Sequence, residues 1–129
     1  PLGDESPKLA MLLAAVGRRP LGIQVAQLTA VVISAGAQFP TNEVSLRAVG
    51  VNAGVAALCA CALEPGNVGR VVLSEFPRSL KELIRNRVKY EANPALFCFG
   101  LLEYFDIPEL IALCAPTPIE AYSTLASEA

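Results

Sequence analysis

The sequence predicts an α/β fold: a short parallel sheet flanked by helices, formed by one folding unit spanning 1–129. Two observations predict it. Two short apolar runs, Leu46 to Val51 and Arg70 to Phe76, lie on either side of an alanine-rich helical stretch, which is the make-up of a right-handed βαβ unit. Helix caps and helical periodicity then recur before and after that unit.

Each element has its own signal. Ser6-Pro7 is a cap followed by a first-position proline, and Leu9, Leu12, Leu13 and Val16 recur at helical spacing until Gly17. After the basic turn Arg18-Arg19-Pro20, Leu21, Val25, Leu28, Val31 and Val32 mark a longer helix ending at Gly36. A polar loop leads to the strand Leu46 to Val51, and Gly54 to Leu63 should be a helix packed closely on the sheet, closed by Glu64-Pro65-Gly66-Asn67. The second strand follows. Ser79 to Glu82 reads as a capping box opening a short helix, and Asn93-Pro94 as the start of another running to about Tyr104. Asp106-Ile107-Pro108-Glu109 repeats the cap pattern for a helix to about Cys114, and Thr117 to Thr124 is a third strand.

Composition bounds the function. The chain is 53% apolar with a mean hydropathy of +0.49. Polar residues still interrupt every apolar run before the ~18 to 20 residues that span a bilayer, so no membrane span is predicted. The richest window, Leu21 to Ala35, carries Gln24, Gln27, Thr29 and Ser34 and reads as a buried helix. The excess of apolar residues also fits burial against a partner chain or another part of the parent protein, with a homo-oligomer as a further option. A net charge of -2 and a pI of 5.1 leave no nucleic-acid footprint. Arg78, Lys81, Arg85, Arg87 and Lys89 are interleaved with Glu75, Glu82 and Glu91, the pattern of a solvated face. Cys59, Cys61, Cys98 and Cys114 lie in apolar helical contexts and read as free thiols of a reducing, cytoplasmic compartment. No metal site and no cofactor are expected, and "PLG" at the start resembles no targeting peptide.

Histidine is absent from the whole chain, which removes Ser-His-acid triads, Cys-His dyads and His-containing zinc sites from its own repertoire. Against that stands one suggestive turn. Gly50-Val51-Asn52-Ala53-Gly54 has the spacing of the G-x-S-x-G nucleophile elbow, with asparagine at the serine position. Asparagine tolerates the positive φ of such an elbow, yet its amide is no nucleophile.

The segments around this turn resemble the α/β-hydrolase superfamily, in particular its acetylxylan-esterase-like and dienelactone-hydrolase-like branches. Gly17 to Gly22 is similar to a G-x-P-L-x-G run, Gly50 to Gly54 to the elbow, and Asp106 to Pro118 to a D-x-P-D-L-x-x-L-x-A-P-R-P segment. The resemblance implies a partial or degenerate three-layer sandwich, the later part of such a domain. It also shows departures: Asn52 replaces the serine, Thr117 replaces an arginine, and no family catalytic residue is kept.

Two acids remain as alternatives. Glu75 ends the second strand, where α/β ligands bind, and Asp106 lies before the third; the structural readings are a solvated carboxylate and a helix cap boxed with Glu109. Tyr90, Tyr104 and Phe105 read as core or interface aromatics. The expected function is a non-catalytic α/β-hydrolase-like (acetylxylan-esterase-like) unit with a structural or assembly role. One alternative is part of a carbohydrate-ester or carboxylic-ester hydrolase whose histidine and early strands lie elsewhere. A further one is a nucleotide-binding module, since Glu75 follows the Gly50 turn at about the spacing of a ribose contact.

Overall fold

In this computed structural model the described residues are 6–97 and 100–123. The elements run α1 (Ser6–Ala15), α2 (Pro20–Gln38), β1 (Ser45–Val49), α3 (Val51–Leu63), β2 (Arg70–Ser74), α4 (Lys81–Arg85), two 3-10 turns (Tyr90–Ala92 and Pro94–Leu96), α5 (Leu101–Tyr104), α6 (Ile107–Leu113) and β3 (Ile119–Tyr122). The sheet is three-stranded, all parallel, in the order β1-β2-β3, so the predicted parallel sheet flanked by helices is what forms.

The chain centres on α3. Its sequence, VNAGVAALCACAL, holds mostly small side chains, so the helix axis approaches its neighbours closely, and Gly54 to Leu58, Ala60 and Cys61 are all buried. It packs on β1 and β2 beneath and on α2 and α6 at its sides. The fully buried side chains come from this junction: Val55, Leu58 and Cys61 of α3, Val71 and Leu73 of β2, and Cys114 after α6. Because α3 joins β1 to β2 and α6 joins β2 to β3 in the same lateral direction, right-handed crossovers put both helices on one side.

The strand register separates two unlike faces. Leu46, Ala48, Val71, Leu73, Ile119 and Ala121 point to the helices. On the other face Arg47, Val72 and Glu120 form one row and Val49, Ser74 and Tyr122 the next. There Arg47, Val49, Arg70 and Tyr122 are exposed and Val72 and Ser74 only half-buried. The described residues thus supply two layers, the partial form of a sandwich, and both β1 and β3 are edges.

Several boundaries shift by a few residues: β2 ends at Ser74 rather than Phe76, and β3 runs from Ile119 to Tyr122 rather than from Thr117. β1 ends at Val49 rather than Val51, and α3 begins at Val51 rather than Gly54. The helix expected from Asn93 to Tyr104 is instead the turn Pro94–Leu96 and the four-residue α5, because Asn93 adopts φ -145 without a side-chain cap and Gly100 adopts φ +82. Helix α2 also differs from the buried helix expected. Only Leu21, Val25 and Val32 are buried; its single core-facing stripe leaves an apolar helix, long enough to cross a membrane by length and composition, 17% buried over that window. Cys98 and the initial "PLG" lie outside the described residues, as does the proposed end of the third strand at Thr124.

One close contact inside the core is between Gly54 and Phe76. A Cβ at Gly54 would lie 2.3 Å from Phe76 Cε2, closer than non-bonded carbons can sit. Gly54→Ala is therefore expected to cost about 1 to 3 kcal/mol, and Gly54→Val more, since the 2% exposed ring has no room to retreat. Thermal or urea unfolding of the two variants reads this directly.

Candidate functional site

The carboxyl ends of the strands gather the residues that the sequence singled out, as in other open α/β sheets. Gly50, at φ +87 and ψ 167, is the N-cap of α3, and its N–H donates to the Ser74 carbonyl across the sheet (2.9 Å). The sharp bend thus falls on Gly50 itself. Asn52 is the second residue of α3, in helical conformation, and does not take the positive φ that an elbow demands of its central residue. Its Oδ1 is buried without a hydrogen-bond partner. Glycine at 54 is explained by Phe76 rather than by an elbow.

Positive φ falls instead on Glu75, at +54, immediately after β2. No sequence signal marked it, because glutamate is an uncommon residue there. Its physical cause is visible in the strand alternation. Residues 70, 72 and 74 face away from the helices, and a regular continuation would send Phe76 the same way; the left-handed residue reverses the alternation and turns Phe76 onto Gly54, leaving Glu75 exposed. The Glu75 carboxylate has no hydrogen bond or ion pair among the described residues.

Asp106 is held by structure. Its side chain accepts from Leu80 N (2.7 Å), Ile107 N (2.8 Å) and the Ser79 hydroxyl, while Glu109 Oε2 accepts from Asp106 N (2.9 Å), completing the predicted capping box. Burial opposes its charge, but the hydrogen bonds from Ser79, Leu80 and Ile107 and the nearby Lys81 outweigh that and hold the carboxyl below its usual value. Asp106 therefore fastens the start of α4 to the start of α6. Ser79 Oγ also accepts from Lys81 N (3.1 Å), whereas Glu82 closes back on Arg78 N (3.2 Å), one residue earlier than the predicted box. Ser79, the serine nearest an acid, is thus a bridging cap with no base beyond Asp106.

Beside these residues a groove of about 980 Å³ opens between Phe76, Pro77, Ile107 and Ile111, with Arg78 and Tyr122 at its polar margin. Among the described thiols, Cys114 is poorly suited to act as a nucleophile. Cys114 is fully buried, its Sγ donating to the carbonyls of Leu110 (3.2 Å) and Leu58 (3.4 Å); burial, together with Cys61 and Cys59, pushes its pKa up to about 12. Cys59 and Cys61 form no disulfide, and among the described residues no cluster of His, Cys, Asp and Glu could hold a metal.

Compared with protein families, curated proteins and solved structures, the chain matches none. The site is therefore read from its own chemistry: among the described residues it holds carboxylates and hydroxyls, of which Ser79 and Asp106 are joined in a helix cap. The sequence also missed Thr117, at the position where the resembled segment has arginine. It is buried, and its hydroxyl lies 2.9 Å from the Val68 carbonyl and 3.2 Å from that of Pro65, tying the start of β3 to the turn before β2.

Two outcomes separate structural from catalytic acids here. Asp106→Ala is expected to cost about 2 kcal/mol from the lost cap and the lost bonds to Ser79 and Leu80. Because the folded pKa lies below the unfolded one, the wild type has this contribution above the unfolded value of 3.8 and loses it as pH falls through the folded value. Urea titrations from about pH 5 to pH 3 should therefore show a steeper stability loss in wild type than in Asp106→Asn. At Glu75, glycine relieves the left-handed backbone, so Glu75→Gly is expected to hold or gain up to about 1 kcal/mol, while Glu75→Val loses about 1 to 2. Thermal denaturation of the pair checks this.

Proposed function

We propose that the chain is a non-catalytic unit of α/β-hydrolase-like kind that works by assembly, with another chain or with another part of its own protein. The observation that carries the reading is the one-sided sheet. Parallel sheets ordinarily bury both faces, whereas here three parallel strands have helices on one side and both edges unpaired among the described residues. The open face is suited to contact: exposed Val49 and Tyr122 give apolar area, and Arg47 makes no ion pair among the described residues. Its polar members are already ordered. Glu120 accepts from the Tyr122 hydroxyl (3.0 Å) and pairs with Arg70, and these two partners hold its carboxyl below the usual value, while the Glu120 carboxylate in turn raises the tyrosine.

The chemistry supports the same reading from the other direction. The chain has no histidine, Asn52 stands inside a helix, and Ser79 is committed to capping. The ester-hydrolase alternative requires a base from another polypeptide, with the groove beside Arg78 and Tyr122 as the place for its substrate. The nucleotide alternative is weakened by the turn itself. α3 starts directly after Gly50, whose N–H is already bonded to Ser74, so no glycine-rich loop is left to cradle a phosphate.

Incubation of the purified chain with a chromogenic short-acyl ester and a serine-directed fluorophosphonate tests this: neither turnover nor labelling is expected, and either one overturns the non-catalytic reading. Asn52→Ser is expected to remain silent in both assays, because a helical serine without a base is unactivated. An active Asn52→Ser protein would show that a base is present after all.

A further inference from the structure

The charges on the open face of the sheet are antisymmetric about its central strand. In the middle row Arg47 on β1, Val72 on β2 and Glu120 on β3 read positive, apolar, negative. The next row, Val49, Ser74 and Tyr122, is uncharged, with Val49 60% and Tyr122 57% exposed. Glu120 is already met from its own chain by Arg70 and the Tyr122 hydroxyl, and Arg70 stands one row before Val72, facing the same way. Arg47 is exposed and forms no ion pair among the described residues, though its charge is felt at Tyr122. Glu43 and Glu75 lie off the two ends of the face: Glu43 precedes β1 beside Gly69, and Glu75 follows β2.

We infer, resting on the assembly reading above, that two copies of the chain meet through this face about a two-fold axis lying along β2. The charges choose the symmetry. An axis across the strands would set Arg47 against Arg47 and Glu120 against Glu120 of the other copy, like on like. An axis along β2 exchanges the two edges, so each Arg47 faces the Glu120 of the second copy, Val72 faces Val72, and Val49 packs on Tyr122. The two sheets then stack about 10 Å apart with aligned strands, and each covers the bare side of the other. Arg70 is nearest the axis and would meet its own equivalent, but its guanidinium is drawn sideways to Glu120 on β3, so the two Arg70 side chains leave in opposite directions. Each Glu120 is then held between Arg70 of its own chain and Arg47 of the other, within the roughly four acceptor sites of a carboxylate. A second copy supplies both countercharges at the spacing required, because Arg47 and Glu120 stand the same two strand intervals apart in each.

The face is small. Strands of five, five and four residues cover about 240 Å² of flat area at a strand spacing of about 4.8 Å and a rise of about 3.3 Å, against about 800 Å² per partner in a standard interface. The dimer is therefore a weak one, forming in the micromolar range and giving way to salt, since its ion pairs sit at the rim.

Sedimentation equilibrium of the full chain, from low micromolar to near-millimolar concentration, is expected to show monomer passing to dimer and no further, at higher concentration as salt is added. Arg47→Glu and Glu120→Arg should each stay monomeric alone. An equimolar mixture of the two should dimerise again, because each variant then meets its countercharges on the other. Val72→Lys sets like charges together on the axis and should abolish the dimer. With circular dichroism and melting curves showing an intact fold, that variant keeps the test decisive if Glu120→Arg does not fold. Wild type that stays monomeric throughout, a dimer indifferent to Val72→Lys, a mixture of folded variants that does not dimerise, or a mass rising past the dimer each overturns the inference. A wild-type monomer would leave the non-catalytic reading standing, whereas ester turnover by an intact dimer would overturn that reading alone.

Discussion

The close approach of α3 to everything around it is the constraint on which the structure depends. A helix made mostly of glycine, alanine, valine and cysteine can lie against two strands and two helices at once because few of its side chains are long. Gly54 under the Phe76 ring is the extreme of this packing. From that contact follow the burial of Phe76, the left-handed backbone at Glu75 that delivers it, and the open position of the Glu75 carboxylate at the end of the sheet. A strained residue at the carboxyl edge of a strand is often read as functional; here its strain is accounted for by a buried aromatic ring.

A second anchor works at longer range. Asp106 collects donors from residues 26 and 27 positions away, so that the α4 and α6 starts are fixed relative to each other and to the groove they flank. Thr117 does the same between the start of β3 and the turn after α3. These polar clamps stand where a catalytic α/β protein would spend its acids and hydroxyls on substrate, and they account for most of the chemistry-bearing side chains in this part of the chain.

Much of this was legible in the sequence. The βαβ unit, the third strand and the Asp106-Glu109 box are local patterns of cap, period and β-branching, and the chain forms all of them. The break between Asn93 and Tyr104 was hidden because an Asn-Pro start and apolar periodicity are also satisfied by short turns, and the αL residue at Gly100 is a backbone choice that composition does not reveal. Asn52 was misplaced for a related reason. Glycine spacing locates a bend to within a few residues, while the residue that carries the bend is fixed by the Gly50–Ser74 hydrogen bond across the sheet. Hydropathy likewise marked α2 as apolar but gave no sign of how little of it the core would cover, since exposure belongs to the whole packing arrangement.

The register of the open face carries a consequence in symmetry. Arg47 on one edge strand and Glu120 on the other occupy the same row, with Val72 between them. The two edges are therefore unlike, and opposite in charge at their centres. Pairing of these opposite charges edge to edge between copies would join β3 of one to β1 of the next, a head-to-tail contact that makes a ring where its rotation closes and an open filament where it does not. Whether such an assembly stops or grows is therefore set by the rotation that each edge-to-edge contact imposes.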